Sequence, residues 1–240
     1  MAISVVLETN DWLAVDKPAG QMTHPTRPGG PPTLLDALRA TYPDDRFHLI
    51  NRLDRETSGV VLVARNRAAA SELGRMIQRG EITKTYLAIV WGNPRDARGE
   101  IEAPIARLGA HAPSRIFHKQ AIVPDGRPCK TVYSVERRLS QHAILRVSPQ
   151  TGRLHQIRLH LASIGFPVLG DKIYGPDERC YLRFIAEGWT TEMQTMLRSE
   201  RHALHAAEMA FCWRGSPMNA RAPWPQDLEA VYKILINKGL

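Results

Sequence analysis

The sequence predicts an α+β fold built on a mixed, largely antiparallel sheet, and three features lead to that reading. Short apolar runs bounded by Gly, Pro, Asn and Asp recur along the chain and read as strands. Only a few segments carry helical spacing. The two kinds do not alternate in the regular β-α order that a doubly wound or barrel fold requires. The 240 residues, 43% of them hydrophobic, suffice for one substantial core or two small ones.

Residues 3 to 7 and 12 to 15 are apolar runs split by Thr9-Asn10-Asp11, which predicts two strands around a turn. The Gly/Pro-rich stretch from Pro18 to Pro32 has no periodicity and reads as a loop long enough to be functional or mobile. Thr33 is placed to cap a short helix running to about Ala40. Asn51 to Gly59 is polar and irregular, and it leads into Val60-Val61-Leu62-Val63-Ala64, the composition of a buried strand. Residues 67 to 79 have helical composition ending at Gly80, and Lys84 to Trp91 reads as the next strand, closed by Gly92. Further strands are expected near 101 to 106, 130 to 137 and 142 to 148. From Gly152 to Ser163, Leu154, Ile157, Leu161 and Ile164 recur at helical spacing, with Gly165 placed to end the helix. A last helix is expected from Pro225 to about Asn237.

Lys and Arg outnumber Asp and Glu by 32 to 24, giving a net charge of +8, which points towards polyanionic partners without specifying them. Cys129, Cys180 and Cys212 are odd in number, widely spaced and without a C-x-x-C pair, which argues against a disulfide framework and against a structural zinc site. The start, Met-Ala-Ile-Ser-Val-Val-Leu-Glu, lacks the basic residues and long apolar stretch of a signal peptide. No apolar run approaches the ~20 residues that cross a membrane. An intracellular, soluble protein in a reducing cytoplasm is expected, with no membrane partner.

Familiar site signatures are missing: no G-x-x-x-x-G-K-[ST], no G-x-G-x-x-G after a strand, no H-E-x-x-H and no G-x-S-x-G. His155 with His160, or His202 with His205, lack a third ligand at a diagnostic spacing, so no metal site is expected. Two polar clusters stand out instead. Asn51-Arg52-Leu53-Asp54-Arg55-Glu56-Thr57-Ser58-Gly59 lies immediately before a core strand, where loops often hold active sites, although a solvated turn has the same composition. Thr151-Gly152-Arg153-Leu154-His155-Gln156-Ile157-Arg158-Leu159-His160 falls on the expected helix, with Arg153 and Arg158 flanking its apolar face on opposite sides. An arginine so placed needs a buried or half-buried acceptor, unless it caps a loop carbonyl or snorkels to water.

Three segments in this order and spacing resemble the successive motifs of RluA-like RNA pseudouridine synthases. They are Arg-Leu-Asp-Arg-Glu-Thr-Ser-Gly at 52 to 59, Lys-Thr-Tyr-Leu-Ala at 84 to 88, and Thr-Gly-Arg-Leu-His-Gln-Ile-Arg-Leu-His at 151 to 160 followed by Leu-Gly-Asp-Lys-Ile-Tyr-Gly at 169 to 175. Asp16-Lys17-Pro18-Ala19-Gly20 and Leu204-His205-Ala206 are similar to further family features, so the resemblance runs nearly the whole length. Asn51 departs from it, standing where the family commonly has His, and an S4-type RNA-binding domain, which many members carry, is not expected here.

The resemblance implies a single catalytic domain over 1–240, with the pseudouridine synthase fold: a mixed, mainly antiparallel sheet in two halves, flanking helices and a central RNA-binding cleft. It implies isomerisation of uridine in ribosomal or transfer RNA by a cofactor-free monomer. Asp54 matches the essential aspartate, acting on the ribose as a nucleophile at C1′ or a base at C2′. Tyr86 matches a tyrosine lying against the target base and assisting proton loss from C5, a role compatible with one ring face packing on the protein; Arg158 matches an arginine paired with the catalytic carboxylate. Arg52 resembles a residue that enters the RNA at the vacated base position, and Arg55, Lys84, Arg153 and His155 are the other side chains expected to meet RNA. Chemistry supports this division. A uridine inside folded RNA must be extruded, at a cost of a few kcal/mol offset by stacking and phosphate contacts. The stretch from Arg107 to Arg138, with seven Lys or Arg against two acidic residues, suits an RNA backbone or a solvated basic loop. Two other classes share these residues: a non-catalytic RNA-binding or chaperone protein on the same scaffold, and a hydrolase that releases free uracil.

Overall fold

The computed structural model describes residues 3–26 and 29–237. Along the chain run β1 (Ser4–Glu8), β2 (Trp12–Lys17), α1 (Leu34–Thr41), β3 (His48–Leu49), β4 (Ser58–Ala64), α2 (Arg67–Gln78) and β5 (Thr83–Trp91). Then follow β6 (Arg98–Glu102), β7 (Ile105–Arg107), β8 (Gln120–Ile122), β9 (Lys130–Arg138), β10 (His142–Pro149) and α3 (Gln156–Ser163). The chain closes with α4 (Arg179–Glu187), α5 (Thr191–Leu197), β11 (Leu204–Trp213), β12 (Ser216–Arg221) and α6 (Gln226–Asn237). The α+β class with a mainly antiparallel sheet and flanking helices is the one expected. No described helix is long and apolar enough to cross a membrane.

The elements fall into two compact units, Met1–Thr85 with His205–Trp224, and Tyr86–Leu204 with Pro225–Leu240. In the first, β2 pairs antiparallel with both β1 and β4, and β3 pairs antiparallel with β4. β4 also pairs in parallel with β11 at Ser58 and Gly59, and β11 turns back on β12. Every residue of β4 is buried, as an apolar strand covered on both faces should be. Its alternate residues Val60, Leu62 and Ala64 pack with Trp12, with Met209 and Phe211 of β11, and with Ala69, Leu73 and Met76 on the apolar stripe of α2. Asn66 caps α2 by accepting the Ala69 N–H at 2.9 Å. Thr33 caps α1 as expected, in a capping box completed by Asp36.

In the second unit, β5 pairs antiparallel with β10, β10 with β9, and β9 with β6, while β7 and β8 form a separate two-stranded hairpin. The single strand expected near 101 to 106 is therefore two, β6 and β7, in different sheets. Ile116, Ile173 and Tyr174 form one small core, and Cys180, Met193 and Leu197 another. Arg201 ties α6 to the preceding chain through Asp227, with Nε at 2.5 Å.

Candidate active site

The loop before β4 is braced along its length. Asn51 clasps the strand it precedes, accepting the Leu62 N–H at 2.7 Å and donating to the Val60 carbonyl at 3.3 Å. Leu53 is held by Thr23, whose Oγ1 donates to the Leu53 carbonyl at 2.9 Å and accepts its N–H at 3.3 Å. Arg55 and Gly20 exchange bonds: the Gly20 N–H donates to the Arg55 carbonyl at 2.8 Å and Arg55 Nε donates to the Gly20 carbonyl at 2.9 Å. Lys17 is fully buried and gives Nζ to the carbonyls of Pro18, Gln21 and Arg55, at 2.7, 2.9 and 3.3 Å. A buried ammonium survives only with such acceptors, so this lysine rivets residues 18–21 to the 51–57 loop. Between the anchors the Thr57 N–H donates to the Asp54 carbonyl, which makes a tight turn and leaves Asp54 half-buried at its corner. Arg52 and Arg55 are exposed, and Arg52 lies near enough to His24 to add to burial in lowering that imidazole's pKa. The loop is thus a rigid mount for one carboxylate, not a solvated turn.

Where β4 begins, Ser58 Oγ lies 2.9 Å from His205 Nδ1, and His205 Nε2 donates to the Ala222 carbonyl at 3.4 Å. Gly59, at φ +109°, touches β11 so closely that a Cβ there would stand 2.2 Å from the Ala206 carbonyl oxygen. The family-like Leu204-His205-Ala206 segment therefore secures the strand that carries the loop.

In the second unit Tyr86 sits on β5 opposite Val147 of β10 and is 9% exposed. Lys84, at the start of the same motif and in the first unit, is half-buried, and burial lowers its pKa. The 151–174 segment is a dense polar network. Gln156 uses both ends of its amide: Oε1 accepts from the Thr151 hydroxyl and the Arg153 N–H, at 2.6 and 3.0 Å, and Nε2 donates to the Lys130 carbonyl and Thr131 Oγ1, at 2.9 and 3.0 Å. Arg158 is buried and makes a bidentate ion pair with Asp171, Nε at 2.6 Å and Nη2 at 2.8 Å. Asp171 also accepts the N–H groups of Ile173 and Tyr174, at 2.9 and 3.0 Å. Desolvation would raise its pKa, but Arg158 and these bonds hold it well below the usual carboxylate range. The Tyr174 ring lies under the Arg158 guanidinium at 5.2 Å. Its hydroxyl accepts the Gln120 N–H and donates to His155 Nδ1, both at 2.8 Å.

Several expectations change here. The helix begins at Gln156, not Gly152, because His155 adopts the left-handed conformation at φ 56° and breaks the spiral. Arg153 therefore lies in the preceding loop, exposed, and does not flank the helix; Leu154, read as apolar face, is 47% exposed. Within its own unit Arg158 has an acceptor in Asp171, a residue quoted in the motif but given no role. His155, read as an RNA contact, is buried in the Tyr174 network. Much of the 107–138 charge is engaged internally: Lys119 with Glu178, Lys130 with Glu100, and Arg137 with Tyr232. Of the histidines weighed as metal ligands, His155, His160 and His205 serve hydrogen bonds, His160 accepting from Thr131 and donating to the Ala103 carbonyl. Lys17, Thr23 and Gln156 were not assigned roles from sequence.

A family model described as RNA pseudouridylate synthase matches residues 11–163. The chain is 34% identical to "Ribosomal large subunit pseudouridine synthase D" of Vibrio parahaemolyticus, over 97% of this chain and 70% of that protein. It is 36% identical to an uncharacterized RNA pseudouridine synthase of Chloroflexus aurantiacus, over 93% of this chain and 66% of that one, so it spans about two thirds of these relatives. Among solved structures it is similar to human RNA pseudouridylate synthase domain containing 1, with a TM-score of 0.71 and 27% identity, covering 96% of this chain and 87% of that one.

Proposed function

From the premise that this chain belongs to the RNA pseudouridylate synthase family, an isomerase family, we propose that it converts a uridine of large-subunit ribosomal RNA to pseudouridine, with Asp54 as the reacting carboxylate. The ribosomal target follows the names of relatives such as that of Vibrio parahaemolyticus, and it favours a cytoplasmic enzyme. The two units work as one catalytic domain, and the active form is a monomer.

The observation that carries this reading is the bracing of the Asp54 loop. Breaking the N1–C1′ bond, rotating the uracil and bonding its C5 to C1′ keeps every heavy atom within the substrate, with one proton leaving C5 and one taken up at N1. The protein must hold a single ionised carboxylate at the ribose while the base is loose. A backbone fixed by Thr23, Lys17, Gly20 and Asn51 supplies that placement before RNA arrives, which removes the ordering cost from the reaction itself. Attack by Asp54 at C1′ or removal of the C2′ proton both use the same ionised group. Tyr86, placed on β5 opposite Val147, offers a face to the uracil and a hydroxyl to assist proton loss from C5. Arg158, locked by Asp171, supplies fixed positive charge to the reaction. Arg52 and Arg55, exposed on the loop, and Arg153 meet the RNA, with Lys84 beside them in role; His155 acts from behind by orienting Tyr174.

The test is to map pseudouridines in ribosomal and transfer RNA from cells with and without this gene, and to assay the purified protein for released uracil. Loss of a ribosomal pseudouridine with no free uracil is expected. Free uracil would identify a hydrolase, an unchanged pseudouridine map a binding protein, and a change confined to transfer RNA would move the substrate.

A further inference from the structure

The hairpin of β7 and β8 carries an aromatic side chain with no place in the chemistry above. Phe117 is 77% exposed, while its neighbour Ile116 is 3% exposed in the core with Ile173 and Tyr174. The loop is braced around it. Ser114 Oγ donates to the Ile116 carbonyl at 3.0 Å, the Lys119 N–H donates to the same carbonyl at 3.1 Å, and the Gln120 N–H reaches the Tyr174 hydroxyl at 2.8 Å. The His118 ring stands edge-on to both His155 and Tyr181, at 5.4 and 5.2 Å. A loop pinned on both sides of Phe117 holds that ring in water, and the Arg107 guanidinium stacks on it at 4.8 Å. Residues 105–122 contain Arg107, Arg115, Lys119 and two histidines, and not one Asp or Glu. Arg107 and Arg115 are exposed, whereas Lys119 is engaged by Glu178.

We propose that Phe117, with Arg107, is a stacking platform for an unpaired RNA base, an accessory site separate from the residues that act on the target uridine. A large exposed ring on a rigid mount loses little freedom when a base covers it, and every base offers a π face. Sequence-specific and single-strand RNA binding rests on such rings, with arginine adding charge and a second planar surface. The one-signed charge of the hairpin favours a phosphate backbone over a protein surface. This inference rests on the proposed RNA substrate and adds a place where that substrate is gripped.

The experiment compares wild type with Phe117→Ala, Phe117→Leu and Phe117→Trp. Affinity is measured by fluorescence anisotropy on a labelled single-stranded oligouridylate and on a ribosomal RNA transcript, and turnover on that transcript at saturation. Phe117→Ala is expected to weaken binding by about 5- to 150-fold, the range for losing one stacked base. Phe117→Trp should restore it, Phe117→Leu should not, and saturated turnover and the thermal midpoint should match wild type in all three. Equal affinity of wild type and Phe117→Ala would overturn the proposal, as would a leucine variant binding as tightly as the tryptophan one. A change in sedimentation of Phe117→Ala without RNA would overturn it too, by assigning the ring to protein self-association. A wild type that neither binds nor isomerises RNA would overturn the function proposed above and this site with it. A wild type that does both, beside an unaffected Phe117→Ala, would remove this site alone.

Discussion

At the scale of single residues, the proposed chemistry depends on fixed groups that hold the side chains assigned to it. Asp171 is the clearest case, because it is fully enclosed and its charge is balanced by Arg158 and two backbone N–H groups. Replacing Asp171 with Asn takes the bidentate carboxylate away from a buried guanidinium, which costs about 3–5 kcal/mol at neutral pH and should be read by urea unfolding. Its pKa in the folded protein lies below its unfolded value of about 3.9, so the stabilisation is fully present above that value and is lost as pH falls through the folded pKa. The gap between wild type and Asp171→Asn should therefore stay constant from about pH 7 to about pH 5 and close only in strong acid. A gap that closed between those values would show that Asp171 is not the low-pKa partner of Arg158. Tyr86 gives a second residue-scale expectation. Tyr86→Phe keeps the ring and loses the hydroxyl, so RNA affinity should persist while turnover falls by about 10²–10⁴. Unchanged turnover would reduce Tyr86 to a surface for the base.

At the scale of elements, the strand that carries the Asp54 loop depends on a glycine. Gly59 combines a positive φ with backbone contact to Ala206, so a methyl group meets both conformational strain and overlap. Gly59→Ala should destabilise by about 3 kcal/mol or more, or fail to accumulate as folded protein, and chemical unfolding followed by circular dichroism would measure it. Thr33→Ala, by contrast, removes a capping box from α1 at some distance in sequence from the loop and should cost about 1 kcal/mol. Elements with strong local signals were legible. β1, β2, β4, α1, α2 and α6 lie close to where apolar runs and capping residues put them. The α3 start was not, because helical spacing of Leu154 and Ile157 conceals a left-handed His155 whose conformation is fixed by distant Tyr174. β11 and β12 were missed because their turn, Arg214-Gly215, with φ of 48° and 85°, lacks the Asn-Gly or Asp-Gly signature of such hairpins. The same limit applies within the site. A polar cluster before a core strand marks Asp54, but the Thr23–Leu53 and Lys17–Arg55 bonds span 30 and 38 residues, and nothing local announces them. A lysine is ordinarily solvated, so its burial at Lys17 runs against composition and appears only once three carbonyls converge on it.

At the scale of the whole molecule, the net positive charge and the family membership are both consistent with an RNA substrate. With a net charge of +8 and exposed Arg52, Arg55 and Arg153, RNA affinity should fall steeply with salt. The slope of log affinity against log salt should be roughly 0.7 to 0.9 per phosphate contacted, and an affinity flat across salt would deny an RNA substrate. The central claim, that this member of the family isomerises uridine through Asp54, is tested most directly by tritium release from ribosomal RNA carrying 5-tritiated uridine. Wild type should release tritium in proportion to the pseudouridine formed, and Asp54→Asn, folded and binding RNA as wild type does, should release none above background. Tritium release by Asp54→Asn at a rate comparable to wild type would contradict the account.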